Sequence, residues 1–263
     1  MKTSCLPICF FDDIRGGRLS LDQWHQMAAG MGLDGVEVYE PLLDSRDKNS
    51  LLRLRKKLRK LRLDISMLTG YANIADTDPK GWQAAVDGLK GHIEIAAIIG
   101  ATIVRSIAGK WRVGSTRDTQ LNYVARALRE LIPFAANYGV HIALENHPQI
   151  GTKVEDFLEI VRRVRVPELQ INLDTSNAML SGGNVVALAE EVKDRVIHVH
   201  ASDRFPNMDH CAVGEGVVNF PAIFKILKGA GFDGWISMEV GGVRGEDGIR
   251  QSLEYVRQVW EAA

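Results

Sequence analysis

The chain has 263 residues, with 32 basic and 33 acidic side chains, a formal net charge of −1, 46% hydrophobic and 25% charged residues. A soluble chain of this size buries roughly 70–75% of its unfolded surface and needs no staples, and its charge balance excludes retention on nucleic acid by bulk electrostatics. Three cysteines, Cys5, Cys9 and Cys211, exclude a disulfide framework and suit a reducing compartment. The most apolar stretch, 95–104, is closed by Glu94 and Arg105 and is too short for a membrane span. The N-terminal apolar run is too short for a signal peptide, so a cytoplasmic protein with no membrane partner is expected.

In chain order, short β-branched or apolar runs occur at 8–11, 35–39, 63–68, 102–107, 140–145, 169–174, 195–200 and 235–240. Between them lie stretches of helical period, such as Leu51-Leu54-Leu58-Leu61 and Leu121-Val124-Leu128-Leu131. Glycines stand before several of the strands, where a helix C-cap belongs. Eight strands each followed by a helix, with no linker or composition shift, predict a single α/β domain over 1–263, a (β/α)8 TIM barrel. The segment 30–35 spells G-x-G-x-x-G, but it follows a helix and opens a strand, the reverse of a dinucleotide site, and is read as an αβ turn. The basic run Arg53–Arg62 carries a leucine stripe and reads as an outer helix with a solvated face.

In a barrel of this kind catalytic groups sit at the C-terminal ends of strands. Strands five to eight end in Glu145, Asp174, His200 and Glu239. The residue before each is apolar (Leu144, Leu173, Val199, Met238), and the residue two before is small or polar (Ala143, Asn172, His198, Ser237). A strand's two-residue period therefore aims all four terminal side chains inward at one mouth. Three carboxylates and an imidazole converging there call for a divalent cation. Mn²⁺ is the leading expectation, with Mg²⁺, Co²⁺ and Zn²⁺ open. On the same reasoning Glu37 points inward from strand two, to bind a substrate hydroxyl or pair with a buried cation. Arg105 ends strand four, and His147 follows Glu145 by two residues. Arg204, four residues after His200, is placed to clamp an anionic or hydroxylated substrate, and Trp111 to wall the pocket.

The segments LENH (144–147), LDTSNAML (173–180), HVHASD (198–203), VGEGVVNF (213–220) and GFDGWISMEV (231–240) resemble the sugar phosphate isomerase/epimerase family of the xylose isomerase-like TIM barrels. The resemblance spans essentially the whole chain. It implies metal ligation by Glu145, Asp174, His200 and Glu239, proton exchange with substrate by Glu145 and Glu239, and a substrate contact at Arg105. Ketose epimerases of the family carry a histidine three residues after the metal aspartate; here Asn177 stands there, as in other branches, as a substrate-binding candidate.

The resulting expectation is a metal-dependent isomerase or epimerase of a small ketose or related polyhydroxy carbonyl compound. It would work by proton abstraction next to a metal-polarised carbonyl. A dehydratase of a keto-polyol shares the first step and is the alternative. An endonuclease IV-like phosphodiesterase needs more histidines at strand ends than the chain supplies, and a metal-free sugar-binding barrel is the non-enzymatic reading. The expected partner is a small sugar or polyol, with no nucleic acid; a homo-oligomer is left open.

Overall fold

The computed structural model describes residues 1–242 and 244–263. Its strands are β1 (Lys2–Leu6), β2 (Gly35–Tyr39), β3 (Asp64–Thr69), β4 (Ile103–Ile107), β5 (His141–Glu145), β6 (Gln170–Asp174), β7 (Val196–Arg204), β8 (His210–Cys211) and β9 (Trp235–Glu239). The helices are α1 (Phe11–Arg15), α2 (Leu21–Gly30), α3 (Lys48–Lys60), α4 (Pro79–Ile99), α5 (Arg117–Ala136), α6 (Val154–Val164), α7 (Val185–Val192), α8 (Phe220–Gly229) and α9 (Gly245–Ala262). Parallel pairing runs β1-β9-β7-β6-β5-β4-β3-β2, and the short β8 folds back antiparallel on the end of β7. This is the expected α/β barrel.

The barrel meets at β1 and β2 through a side-chain clasp. The Asp34 carboxylate accepts from the Thr3 N–H at 2.8 Å and the Thr3 hydroxyl at 2.7 Å, while the Asp34 N–H donates to Thr3 O at 3.0 Å. The α3 leucines behave as an amphipathic stripe requires, with Leu51 and Leu58 buried and Leu54 and Leu61 packed at the margin. The glycines at 30–35 make the turn between α2 and β2, with Gly32 at φ +76. A Cβ on Gly35 would lie 2.7 Å from Asp64 O, so close strand packing explains that glycine.

The first strand is a correction. The apolar run 8–11 is not β1: residues Ile8–Phe10 form a 3-10 turn, Phe11 opens α1, and the strand is Lys2–Leu6. Pro7 supplies the physical reason, because it has no N–H to extend a ladder and ends the strand before the apolar run begins. Phe10 then packs against Trp24, ring centroids 5.8 Å apart, instead of pairing in the sheet.

The inward–outward alternation sets up the mouth. Leu144, Leu173, Val199 and Met238 lie in the large core between sheet and helices, whereas Ala143 packs with Met67 and Ile103 in a separate cluster. Pairing between β6 and β7 slips between Ile171 and Asn172, so Ile171 faces Val196 but Asn172 faces His198. That bulge gives Ile197 no partner on β6 and sets His198 and His200 in register with Asn172 and Asp174. All three cysteines are free, and no helix among the described residues is long and apolar enough to cross a membrane.

The clasp generates a stability prediction. Asp34→Ala removes two acceptor contacts that join β1 to β2 and should cost about 1–2 kcal/mol, discounted for solvent access at the rim. Urea unfolding should show a lower midpoint at unchanged slope. An unchanged midpoint would mean the clasp contributes nothing to closure.

Candidate functional site

Glu145, Asp174, His200 and Glu239 converge at the C-terminal mouth of the barrel, and none is more than 8% exposed. His200 stands at the centre. Its Nδ1 lies 3.0 Å from Glu239 Oε1 and 3.4 Å from Glu145 Oε1, and its Nε2 lies 3.0 Å from Glu37 Oε1. Donor atoms of Glu145, Asp174 and His200 lie within 4.8 Å of one another. Four buried carboxylates thus surround one imidazole, and Arg105 is the one guanidinium bonded to any of them among the described residues. This donor set fits a divalent cation, for which neutral imidazole and carboxylate oxygen are suitable ligands.

Without a cation, the electrostatics show the crowding. Burial alone would lower His200, but Glu239, Glu37 and Glu145 hold its proton on well above the ordinary imidazole range. Burial raises Glu239, and the attraction of His200 offsets this only in part. Asp174 is raised by burial and by the neighbouring charge of Glu145. Glu145 goes the other way: burial is outweighed by Arg105 and then His200, which hold it well below the usual carboxylate range. The two glutamates therefore differ, one clamped by a guanidinium and one not.

The shell around these groups is built from hydrogen bonds. Ser176 and Asn177 N–H donate to Asp174 Oδ1 at 2.8 and 2.6 Å, and Ser202 Oγ donates to the same carboxylate at 3.0 Å. Asn146 holds the Asp174 main chain from β5: its Oδ1 accepts the Asp174 N–H at 2.8 Å and its Nδ2 donates to Asp174 O at 2.9 Å. Thr175 Oγ1 accepts the Ser202 N–H at 3.0 Å and donates to Ser202 O at 2.7 Å, joining β6 to β7. Asp203 gathers the N–H groups of Arg204, Gly214, Gly216 and Val218 at 2.9–3.1 Å and so fixes the loop before α8. Gly216 is required there, because a Cβ would stand 2.2 Å from both Arg204 O and Asp203 Oδ1.

Several expected substrate contacts are otherwise employed. Glu37 is buried with both oxygens engaged, Oε1 by His200 and Oε2 by the Thr69 hydroxyl at 2.6 Å. It orients His200 in the manner of a carboxylate behind a metal-binding histidine, and at 3% exposure it lies beneath the mouth instead of facing a substrate hydroxyl. Arg105 is 2% exposed; it donates to Glu145 Oε2 at 2.9 Å and Gly70 O at 3.1 Å and lies 4.7 Å over the Tyr71 ring. Arg204 donates from Nε to Ser176 Oγ at 3.1 Å and from Nη1 to Met208 O at 2.8 Å, with Asn177 Oδ1 3.5 Å from Nη2. It backs a hydroxyl chain, Ser176 to Ser202 to Asp174, instead of presenting a free clamp. Trp111 lines an open groove with Arg117, Gln149, Lys153 and Asp156, and none of the four mouth residues lines that groove. His147 stays at the mouth, edge-on to Tyr71 with ring centroids 5.6 Å apart and with Nδ1 unpartnered among the described residues. Burial lowers its pKa below the ordinary imidazole value.

Sequence reasoning missed Asn146, Thr175, Ser202 and Asp203. The polar residues within three positions after Glu145, Asp174 and His200 were the available signal, since buried polar residues at strand ends must be bonded.

The geometry predicts that Asp174→Ala abolishes stoichiometric divalent-metal binding while the far-UV circular dichroism stays near wild type. Asn146→Ala, which frees the Asp174 main chain but leaves every donor, should weaken metal affinity about 10–100-fold, the usual weight of such outer contacts. Isothermal titration of both variants reads this directly; full-affinity binding by Asp174→Ala would remove Asp174 from the donor set.

Comparison with known proteins agrees with the barrel. The chain is 30% identical over 207 residues to the uncharacterized protein MJ1311 of Methanocaldococcus jannaschii, covering 72% of this chain and 70% of that one. It is 24% identical over 247 residues to an inosose isomerase of Bacillus velezensis, covering 89% and 88%. The crystal structure of the IolI protein with a bound zinc atom superposes with a TM-score of 0.84 at 21% identity, over 100% of this chain and 99% of that one. The family described as a xylose isomerase-like TIM barrel matches residues 26–259, and the chain belongs to that family of barrel enzymes.

Proposed function

We propose that the protein is a divalent-metal-dependent isomerase or epimerase of a small ketose or related polyhydroxy carbonyl compound. The observation that carries the reading is the convergence of Glu145, Asp174, His200 and Glu239 with Arg105 as the one guanidinium bonded among them. A bound divalent cation would supply Lewis-acid polarisation of a substrate carbonyl. Mn²⁺ suits three carboxylates and one imidazole; Zn²⁺, which the IolI structure holds, is its competitor. The neighbouring inosose isomerase supports a polyol-derived substrate. The three free thiols support a cytoplasmic, reducing setting.

The chain's own residues divide the work. Asp174, whose Oδ1 is held by the Ser176 and Asn177 N–H groups, serves as a ligand through Oδ2. Glu239 has no guanidinium partner among the described residues and is the stronger base, suited to take the proton from the carbon beside the carbonyl. Glu145, held ionised by Arg105 from the neighbouring strand β4, is the partner across the mouth that exchanges a proton on the other side. Asn177, His147 and Tyr71 rim the same opening and are the groups placed to meet substrate hydroxyls.

A dehydratase reading is favoured by one observation: His147 Nδ1 has no partner among the described residues, so His147 can relay the proton taken from carbon to the departing β-hydroxyl, which leaves as water. An inosose dehydratase of Yersinia enterocolitica is 26% identical over 188 residues, covering 59% of this chain and 62% of that one.

Glu→Gln substitutions test the proposal. Glu239→Gln keeps a ligating oxygen but removes the base, so it should retain metal and lose about 10²–10⁴-fold in turnover. Substrate hydrogen exchange, followed by proton NMR in deuterated water across ketoses and keto-polyols, should fall in parallel, and Glu145→Gln should behave alike. Near wild-type exchange in both variants would show the glutamates to be ligands only. Water loss with appearance of a conjugated carbonyl chromophore, abolished in His147→Asn, would assign the dehydratase instead.

A further inference from the structure

Directly beneath the metal-site layer lies a pair of polar side chains that the proposed chemistry does not use. Asn172 and His198 are register partners on β6 and β7, and both are fully buried. Asn172 Oδ1 lies 2.9 Å from His198 Nδ1. With the amide oxygen on that side, Nδ1 carries the ring proton. Asn172 Nδ2 and His198 Nε2 are then both without a partner among the described residues. The bare Nε2 also faces the Glu37 carboxylate across 3.6 Å, lone pair against negative charge.

Two of these faults, the bare Nε2 and its repulsion by Glu37, follow from one choice of amide orientation. The two ends of an asparagine amide are nearly the same size, so turning it over costs no packing. Nδ2 then donates to His198 Nδ1, and the ring proton moves to Nε2 and points at Glu37 Oε1. At 3.6 Å this contact is long for a hydrogen bond, but it becomes attractive instead of repulsive. His200 must also carry its proton on Nε2, 3.0 Å from the same oxygen, if its Nδ1 is to be bare toward the mouth.

We infer that Asn172 and His198 are positioning residues that turn a second imidazole N–H onto Glu37 and thereby fix the tautomer and orientation of His200. The chain of donors runs Asn172 to His198 to Glu37, and Glu37 in turn holds the His200 N–H. Thr69 closes the other carboxylate oxygen. This inference rests on the reading of His200 as a ligand through Nδ1.

Histidine-selective ¹⁵N labelling of the Zn²⁺-loaded protein tests it, because protonated and bare ring nitrogens have widely separated shifts. The expected result is that His198 and His200 both carry a proton on Nε2, with His198 Nδ1 bare. A proton on His198 Nδ1 overturns the inference. Asn172→Asp offers only acceptors to the ring and should move the His198 proton to Nδ1, weakening Zn²⁺ affinity about 10–100-fold. His198→Gln, which keeps a donor, should bind Zn²⁺ within a few-fold of wild type, whereas His198→Leu should lose about 10–100-fold. Equal affinity in all three variants also overturns it. Should His200 Nδ1 fail to shift on Zn²⁺ addition, the metal reading falls, while the His198 tautomer is still read independently.

Discussion

A buried excess of negative charge around one imidazole is the constraint on which the rest of this site depends. Glu37, Glu145, Asp174 and Glu239 are all removed from water, and each would pay a desolvation cost of several kcal/mol if left unpaired. Arg105 answers Glu145, Thr69 and His200 answer Glu37, and main-chain and serine donors answer Asp174. Glu239 has His200 alone among the described residues. The imbalance explains why His200 is driven toward its cationic form when no metal is present, and why a divalent cation is the natural occupant.

The wall of the site owes its rigidity to bonds between neighbouring strand ends. Asn146 grips the Asp174 main chain from β5, and Thr175 grips Ser202 from β6. Asp203 then organises the loop before α8 through four main-chain N–H groups. The ends of β5, β6 and β7 are therefore tied to one another immediately beyond Glu145 and Asp174. That arrangement suits chemistry in which two glutamates must address one carbon from different sides, where a displacement of about 1 Å is costly.

Much of this was legible in the amino-acid order because the signal is periodic. The alternation of Leu144, Leu173, Val199 and Met238 with small or polar neighbours fixes which side chains enter the barrel, and the packing follows it: those four join the core between sheet and helices, while Ala143 packs in a separate cluster. The illegible parts have physical causes. Pro7 ended β1 earlier than the apolar run 8–11 suggested, because a ladder needs N–H groups more than it needs apolar side chains. Glu37 and Arg204 were readable as inward or mouth residues, but their partners, His200 and Ser176, are remote in sequence, and no local pattern reveals a long-range hydrogen bond. Trp111 lies on a loop, where no strand period fixes direction. The bulge at Ile197 is likewise a property of pairing between two strands and cannot be seen in either alone.

The central claim is that these four strand ends hold one divalent cation. Anomalous diffraction from crystals grown with Mn²⁺, recorded with and without a bound ketose, tests it most directly. The account predicts a single strong peak within bonding distance of Glu145, Asp174, His200 and Glu239, with two substrate oxygens completing its shell. A peak elsewhere, or none at saturating Mn²⁺ and at saturating Zn²⁺, would contradict it.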